Sequence, residues 1–401
     1  MKTRRLFFKN KAFHFSNGIL LPAKRHIKKS SHRVCLLLTI TLSIFLLQPA
    51  FAQSSFFPVT DWMNIHLTKL GGRAVLLVYK DGKIIYSKSV NAMSPRQEKR
   101  SLWLGKQLGL TPEESISPFT PDTYLPIASS SKWLSAALFL TFVEEGLVTL
   151  DDSIGKFLPV MTKQGKGNIR MWQCLSHTTG IKDPPILKGI RASQNWNSME
   201  EAVENIAALP MEGASGKSFH YGNSGLQLIA AVCEKIGRKP YAVLFKERLT
   251  RPLEMSSTDF GKQVVPVAAG GVRSTANDYL HFLVMMLQKG VYGPQQLIRP
   301  PLIDSLCINR VGTGVKNQYT PAEARYWGYG FGVWAMDGAG GGRKSNVITS
   351  PGLFGSFPVV DYQRKYCAVL LTLNIKSSGR HEMYLELKKK LDRAVDGMMM
   401  M

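Results

Sequence analysis

The chain is 401 residues long, 44% hydrophobic and 20% charged. This is the composition of a globular protein with a sizeable core, and it excludes a disordered or fibrous chain. The net charge of +23 would suit a nucleic-acid partner, but ten of the Lys and Arg residues lie within residues 1–52, which contain no Asp or Glu. The other basic residues are scattered and have no interleaved aromatic residues. We therefore expect no nucleic-acid binding, and a basic surface that favours anionic envelope polymers or membranes.

Residues 1–52 have the three parts of a secretory signal peptide. A basic region reaches Arg33, an apolar run extends from Val34 to Leu47, and Ala50-Phe51-Ala52 supplies small residues at the two positions that a signal peptidase reads. This pattern predicts export to the periplasm or the extracellular space. Because the basic region is long, an uncleaved segment that associates with the membrane, or a misplaced start, is the alternative.

The elements that follow predict a helix, a hairpin and an insertion. Asp61 to Leu70 has apolar residues at helical spacing and precedes two glycines. Segments 74–78 and 84–86 are rich in β-forming residues and flank Asp81-Gly82, which is typical of a hairpin turn. Residues 89–120 are polar and contain three prolines, so they predict an irregular insertion.

The rest of the chain is first helical and then rich in strands. Apolar residues at helical spacing predict helices at 129–146, 171–176, 199–208, 224–236, 240–248 and within 273–290. Strands are predicted at 328–336, 345–348, 357–361 and 367–373, and an amphipathic helix at 381–395 closes the chain.

The two ends of the chain complement each other. A helix and a hairpin at one end, with strands and a helix at the other, predict a single antiparallel sheet with flanking helices. We assign residues 57–128 and 262–396 to this sheet domain, and residues 129–261 to a mainly helical inserted domain. The predicted fold class is thus α+β, and a functional site is expected in the cleft between the sheet and the insert.

A serine and a lysine stand together at the predicted start of the helix 129–146. Ser129 and Lys132 are three residues apart after an extended segment, so their side chains share one helix face. An amine beside a hydroxyl is the arrangement that activates serine as a nucleophile. The spacing alone proves little, since Ser153 and Lys156 share it in a turn-rich context.

Two further segments favour catalysis at Ser129. Tyr221-Gly222-Asn223 precedes the helix 224–236, and a tyrosine phenol beside a lysine can shuttle protons. Residues 350–353, Ser-Pro-Gly-Leu, follow an apolar strand, and small residues there allow a substrate to approach the backbone closely.

The order of these segments resembles that of the β-lactamase-related serine hydrolases: class C β-lactamases, D-Ala-D-Ala carboxypeptidases and family VIII-like esterases. The resemblance spans residues 57–395. It implies a β-lactamase/transpeptidase-like fold. It is carried by IASSSK, LSHTTG, HYGNSG, AAGGVRST at 268–275, WGYGFGVW at 327–334 and SPGLFGSF at 350–357.

The resemblance implies a role for each matching residue. Ser129 would be acylated, Lys132 would act as the base or tune it, and Tyr221 would shuttle protons to the leaving group and from the hydrolytic water. Asn223 would bind Lys132 and the substrate, and the backbone N–H groups of Ser129 and Leu353, the latter following Gly352, would form the oxyanion hole. The histidine of LSHTTG, His177, would be structural, and neither a metal nor a cofactor would be required.

One position departs from the penicillin-recognising members of this family. Their third motif begins with lysine, which helps to hold a substrate carboxylate, whereas this chain has Ser350. The departure favours esters or amides over β-lactams and cell-wall peptides, unless Arg343 or Lys344 supplies the charge. A D-Ala-D-Ala carboxypeptidase or β-lactamase, and a non-catalytic protein that binds cell-wall fragments or β-lactams, are the alternatives.

Overall fold

The computed structural model describes residues 55–338, 340–376 and 378–399. The predicted signal segment, residues 1–52, lies outside this range. Among the described residues, no helix is both long and apolar enough to cross a membrane.

A seven-stranded antiparallel sheet joins the two ends of the chain. Strand β1 (Arg73–Lys80) pairs with β2 (Lys83–Asn91) on one side and with β13 (Tyr366–Thr372) on the other, and Leu76 lies opposite Leu370. The strand order is β2-β1-β13-β12-β11-β10-β9, with β9 at Gly328–Tyr329, β10 at Trp334–Ala335, β11 at Val347–Thr349 and β12 at Phe357–Asp361. The predicted hairpin and the pairing of the two ends are confirmed.

Both faces of this sheet are covered by helices, as the unbroken apolar run in β1 requires. Val75 and Leu77 point into the larger apolar cluster, whereas Leu76 and Val78 belong to a second cluster on the opposite face. The first face packs against α11 (Ala276–Leu287), and the second is covered by two terminal helices. These are α1 (Phe57–Ile65) and α13 (Arg380–Met399).

The segment between β3 (Leu125–Pro126) and β5 (Arg273–Ser274) is mainly helical. Its helices are α4 (Ser131–Glu144), α5 (Pro159–Lys163), α6 (Met171–Leu175), α7 (Ile186–Ser193), α8 (Met199–Ala207), α9 (Ser224–Gly237) and α10 (Tyr241–Phe245). This segment also contains the short strand β4 (Ser218–His220). The smaller elements after β5 are β6 (Val291–Tyr292), β7 (Gln295–Gln296), α12 (Pro300–Leu306) and β8 (Lys316–Tyr319). The α+β class is confirmed, and the division into two domains stays a prediction.

The predicted irregular insertion at 89–120 is wrong. Two helices occupy it: α2 (Pro95–Gln107) and α3 (Pro112–Ile116). Each begins with a capping box, formed by Ser94 with Gln97 and by Thr111 with Glu114, and each has proline in its first turn. The prolines that suggested loops are thus helix-start signals.

Several boundaries also differ from prediction. The first helix runs from Phe57 to Ile65 rather than from Asp61 to Leu70, and it has Pro58 in its first turn. The single strand predicted at 328–336 is instead two short strands, β9 and β10, joined by a tight turn in which Gly330 N–H donates to Val333 O. Gly332 in this turn has φ +71°, and a Cβ there would lie 2.5 Å from the Lys132 carbonyl oxygen, so only glycine permits this approach.

Candidate active site

The backbone around Ser129 turns sharply between β3 and α4. Ile127 N–H donates to Val272 O at 3.1 Å, and Ala128 then adopts φ +48°, a left-handed conformation that residues other than glycine seldom take. A short 3₁₀ turn, Ala128–Ser130, leads into α4, so the α-helix begins two residues later than predicted. The turn leaves Ser129 partly exposed between two buried neighbours.

The three consecutive serines of this turn have different surroundings. The Ser130 hydroxyl donates to Ser350 O at 2.7 Å, and the Ser131 hydroxyl donates to Ala128 O at 2.6 Å. Both side chains are buried and hold the turn in place, while Ser129 borders a cleft. Among these three serines, Ser129 is therefore the one whose hydroxyl a substrate can reach.

Lys132 is completely buried and surrounded by acceptors. Its Nζ lies 3.3 Å from Ser129 Oγ, 3.1 Å from Asn223 Oδ1 and 2.8 Å from Ala269 O. Burial lowers the pKa of Lys132 to about 7, although the charge of Asp183 opposes this shift. A neutral amine has two N–H donors, which suffice for Asn223 and Ala269, and a lone pair that remains for the Ser129 hydroxyl. The site can thus accept the serine proton near neutral pH.

Tyr221 closes the site on the side of the sheet. Its hydroxyl lies close enough to the Ser129 side chain to interact with it, and Lys132 Nζ lies 4.8 Å from its ring centroid. The ring packs against His177, at 4.9 Å between centroids, and against Trp334, at 5.0 Å. Burial raises the pKa of Tyr221, so its phenol keeps its proton at neutral pH and is available as a donor.

Asn223 and Asp183 fix the start of α9. Asn223 stands at the N-cap position but makes no capping bond, because its side-chain oxygen faces Lys132 instead. The Asp183 carboxylate takes over the capping, as its Oδ1 accepts hydrogen bonds from Asn223 N at 3.1 Å, Ser224 N at 3.0 Å and Ser224 Oγ at 2.7 Å. Burial raises the pKa of Asp183, although these donors oppose the shift. Sequence reasoning missed Asp183, since its partners lie about 40 residues further along the chain.

Ser350 lies next to Ser129 but faces the protein interior. Its side chain is buried, and its hydroxyl donates to Ser129 O at 3.2 Å and to Gly332 O at 3.1 Å. The hydroxyl is therefore engaged by two carbonyl oxygens, one in the turn that carries Ser129 and one in the turn between β9 and β10. Neither Arg343 nor Lys344 borders the cleft beside Ser129, and Lys344 pairs with Asp304 at 3.2 Å.

Gly352 and Leu353 bring a second backbone segment up to Ser129. A Cβ on Gly352 would lie 2.3 Å from Ile127 O, so this approach requires glycine. Leu353 follows it at the edge of the cleft, where it is partly exposed, as Ser129 and Asn223 are. The structure thus brings Ser129, Lys132, Tyr221, Asn223 and Leu353 together, and the roles assigned to them stay predictions.

The cleft has a volume of about 390 Å³, which suits a small-molecule ligand. Its walls come from α7, from residues 262–273, and from Leu108 and Phe354. Most of the lining is apolar, and its two charged side chains, Lys262 and Arg273, are both basic. Among the described residues, no group of three or more His, Cys, Asp or Glu side chains could hold a metal ion.

His177 and the second serine–lysine pair are arranged differently. His177 is buried, its Nε2 lies 3.1 Å from the Tyr329 hydroxyl, and burial holds its pKa well below the usual value, so the ring is neutral. It supports Tyr221 by packing against its ring. Ser153 precedes an isolated 3₁₀ turn, and Lys156 reaches Asp152 at 2.9 Å rather than the serine. This pair lacks the surroundings of Ser129 and Lys132.

The chain is similar to several known proteins. A family model described as Beta-lactamase matches residues 70–384. A D-alanyl-D-alanine-carboxypeptidase/endopeptidase, AmpH of Escherichia coli K12, is 24% identical over 276 residues, which cover 60% of this chain and 71% of AmpH.

Two solved structures share the fold. A putative β-lactamase from Bacteroides dorei has a TM-score of 0.69 at 23% identity, and EstCE1, a hydrolase with promiscuous acyltransferase activity, has a TM-score of 0.68 at 18% identity. Each comparison covers 85% of this chain and 99% of the other.

Proposed function

Because the chain belongs to the Beta-lactamase family of serine hydrolases, we propose that it is an exported enzyme that hydrolyses esters or amides through an acyl-enzyme on Ser129. The observation that carries this proposal is the lysine amine, with a pKa of about 7, lying 3.3 Å from the serine hydroxyl. An amine that is substantially neutral at physiological pH can act as a general base.

The first half of the reaction forms the acyl-enzyme. Lys132 takes the proton of the Ser129 hydroxyl as Oγ attacks the carbonyl carbon of the substrate. The negative charge that develops on the carbonyl oxygen is stabilised by the backbone N–H groups of Ser129 and Leu353, and each such donor contributes roughly 3–4 kcal/mol. Tyr221 passes a proton to the leaving group as the bond from the carbonyl carbon breaks, and the proton on Lys132 replaces it.

The second half releases the acid and restores the site. Tyr221 accepts a proton from a water molecule whose oxygen attacks the acyl carbon, and at the same time it passes its own proton to Lys132. The bond to Ser129 Oγ then breaks, and the oxygen regains its proton from Lys132. Asn223 holds the Lys132 amine in place throughout, because its side-chain oxygen accepts a hydrogen bond from one N–H group of the amine.

The surroundings of Ser350 support esters or amides as substrates. The lysine that would hold the carboxylate of a β-lactam or a D-Ala-D-Ala peptide is replaced by a buried hydroxyl bonded to two carbonyl oxygens. D-Ala-D-Ala carboxypeptidase activity is the second candidate, because AmpH carries that name.

Turnover of a short aryl ester, a chromogenic cephalosporin and a D-Ala-D-Ala peptide should be compared at equal enzyme concentration. Cephalosporin or peptide turnover far above that of the ester would reverse this ranking.

Covalent labelling tests the assignment of Ser129. A fluorophosphonate probe should add once per chain, and peptide mass spectrometry should locate the adduct on Ser129. Ser129→Ala should abolish labelling, whereas the matched control Ser153→Ala should keep it in full, since Ser153 has the same spacing to a lysine. Full labelling of Ser129→Ala would refute the assignment, and absence of labelling in the native chain would favour a non-catalytic binding protein.

Export is tested separately. We expect cleavage after Ala52 when the full chain is expressed with its own N-terminus in a bacterial host, so that the exported protein begins at Gln53. Intact-mass measurement of the periplasmic fraction checks this. A full-length product retained in the membrane fraction would instead support an uncleaved anchor.

A further inference from the structure

Two basic side chains in the Ser129 cleft have no acidic partner within the part of the chain that the structure describes. Arg273 and Lys262 are the charged residues of its lining, which contains neither Asp nor Glu. Among the described residues, neither side chain forms an ion pair within 4.0 Å. A cleft with uncompensated positive charge attracts an anionic group of the ligand.

Arg273 is the more buried of the two basic residues. Its guanidinium stacks on the Tyr124 ring, at 4.7 Å from Cζ to the centroid, while Nε and Nη2 are buried without a hydrogen-bond partner. No acceptor among the described residues therefore compensates the charge of these two nitrogens, and the guanidinium charge remains available to an anion in the cleft. Asp259 forms an isolated β-bridge with Arg273, but its Oδ1 accepts hydrogen bonds from Gly261 N and the Tyr124 hydroxyl.

The position of Arg273 is fixed by the fold. In the pairing of β3 with β5, Arg273 lies opposite Pro126, three residues before Ser129, which places the two backbones within about 10 Å. The loop with Lys262 is also held, because Gln263 accepts from Val267 N at 3.0 Å and donates to Gly271 O at 2.6 Å. The pairing of β3 with β5 therefore holds the Arg273 backbone close to the nucleophile.

We propose that Arg273, assisted by Lys262, binds a carboxylate carried by the acyl part of the substrate. This inference rests on the proposed acyl-enzyme at Ser129. The leaving group must reach Tyr221, which packs against His177 and Trp334, whereas Arg273 packs against Tyr124 at the β3–β5 wall. The portion of the substrate that reaches Arg273 is thus the acyl portion. A guanidinium binds a carboxylate through two parallel N–H donors.

Matched esters test this proposal. The 4-nitrophenyl monoester of adipic acid has a free carboxylate on its acyl part, and its methyl ester is the neutral counterpart. We expect kcat/KM of the native enzyme to favour the carboxylate by at least about tenfold, the scale of one charge-assisted contact. Arg273→Gln should remove this preference, and Arg273→Lys should keep part of it, because the charge remains but the paired donors do not.

Two controls separate binding from other effects. Arg343→Gln removes an exposed arginine that does not border the cleft, and it should leave the preference intact. Lys262→Gln should lower the preference by less than Arg273→Gln, since Lys262 is exposed and screened by salt. Thermal melting of every variant checks that the fold is retained.

The outcomes distinguish failure of this inference from failure of the proposed function. Turnover of both adipate esters without a preference that depends on Arg273 would overturn the carboxylate site alone. The same holds if Arg273→Gln slows both esters equally, or if the dependence appears only when the carboxylate is moved to the leaving group, as in 4-carboxyphenyl hexanoate. No turnover and no labelling of Ser129 would overturn both proposals.

Discussion

At the scale of single residues, the proposed reaction depends on the loss of a proton from Lys132 near physiological pH. The pKa of Lys132 is lowered to about 7 because its amine is completely buried. We expect kcat/KM for a neutral ester to fall about tenfold per pH unit below pH 7, as the amine becomes protonated and loses its lone pair. A pH–rate profile measures this, and a profile that is flat from pH 5.5 to 9 would contradict the role of Lys132.

Replacement of the lysine gives an independent test. Lys132→Arg keeps a basic side chain that is always protonated, so we expect a loss of roughly 10²–10⁴-fold in kcat, the usual contribution of a general base. Lys156→Arg is the matched control, because Lys156 stands in the second serine–lysine pair with a largely exposed side chain. Equal activities of the two variants would contradict the assignment.

Asp183 should tune this lysine from a distance. Its buried carboxylate raises the pKa of Lys132 and anchors Asn223 through the backbone. We expect Asp183→Asn to move the acidic limb of the pH–rate profile to lower pH, because the lysine loses a stabilising charge, and to lower kcat/KM by about tenfold or more through misplacement of Asn223. Ser224→Ala removes one partner of Asp183 but keeps the carboxylate, so the limb should stay in place. An unmoved limb in Asp183→Asn would show a merely structural role.

The residues of the site were predictable to the extent that they lie in local motifs. Ser129 with Lys132, and Tyr221 with Asn223, each occupy a few consecutive positions, and the structure brings them together. Asp183 could not be predicted in the same way, because its partners are mostly backbone N–H groups at the start of a distant helix. The orientation of Ser350 was equally hidden, since it depends on carbonyl oxygens in two other segments.

At the scale of elements, the helices α2 and α3 show that prolines and polar residues can mark the starts of helices rather than a loop. Their prolines and polar residues suggested a loop, although both capping boxes are visible in the sequence. The helices depend on close mutual packing: a Cβ on Gly105 of α2 would lie 1.9 Å from the Ser115 hydroxyl of α3. Leu108, just after α2, borders the cleft, so this insertion also shapes the site.

Gly105→Ala tests that packing. Alanine is the better helix former by about 1 kcal/mol, yet we expect the substitution to lower the free energy of unfolding by about 1–3 kcal/mol because the methyl group overpacks the contact. Gly397→Ala in α13 is the matched control, since a Cβ there has no atom within 4 Å, and it should be neutral or stabilising. Urea unfolding followed by circular dichroism gives both values. A stabilising effect of Gly105→Ala would show that the two helices are not packed as described.

At the scale of the whole molecule, the pairing of distant segments was predictable and the number of cooperative units was not. A helix and a hairpin at one end, with strands and a helix at the other, were enough to predict one sheet, and β1 does pair with β13. The sequence also suggested an inserted helical domain with its own boundaries. In the structure, one apolar cluster contains sheet residues such as Val75 together with helical residues such as Leu226.

This shared core predicts that the sheet and the helical region unfold together. Every residue of α4 from Ser131 to Val143 is buried, so the helix that follows Ser129 has no solvent-exposed face. Unfolding of either the sheet or the surrounding helices alone would therefore expose apolar surface of α4 to water. We expect a single urea transition with coincident midpoints for circular dichroism, tryptophan fluorescence and ester turnover. An isolated segment comprising residues 129–261 should accordingly fail to fold. Loss of turnover at a clearly lower urea concentration than loss of helical signal would show instead that the site region opens as a separate unit.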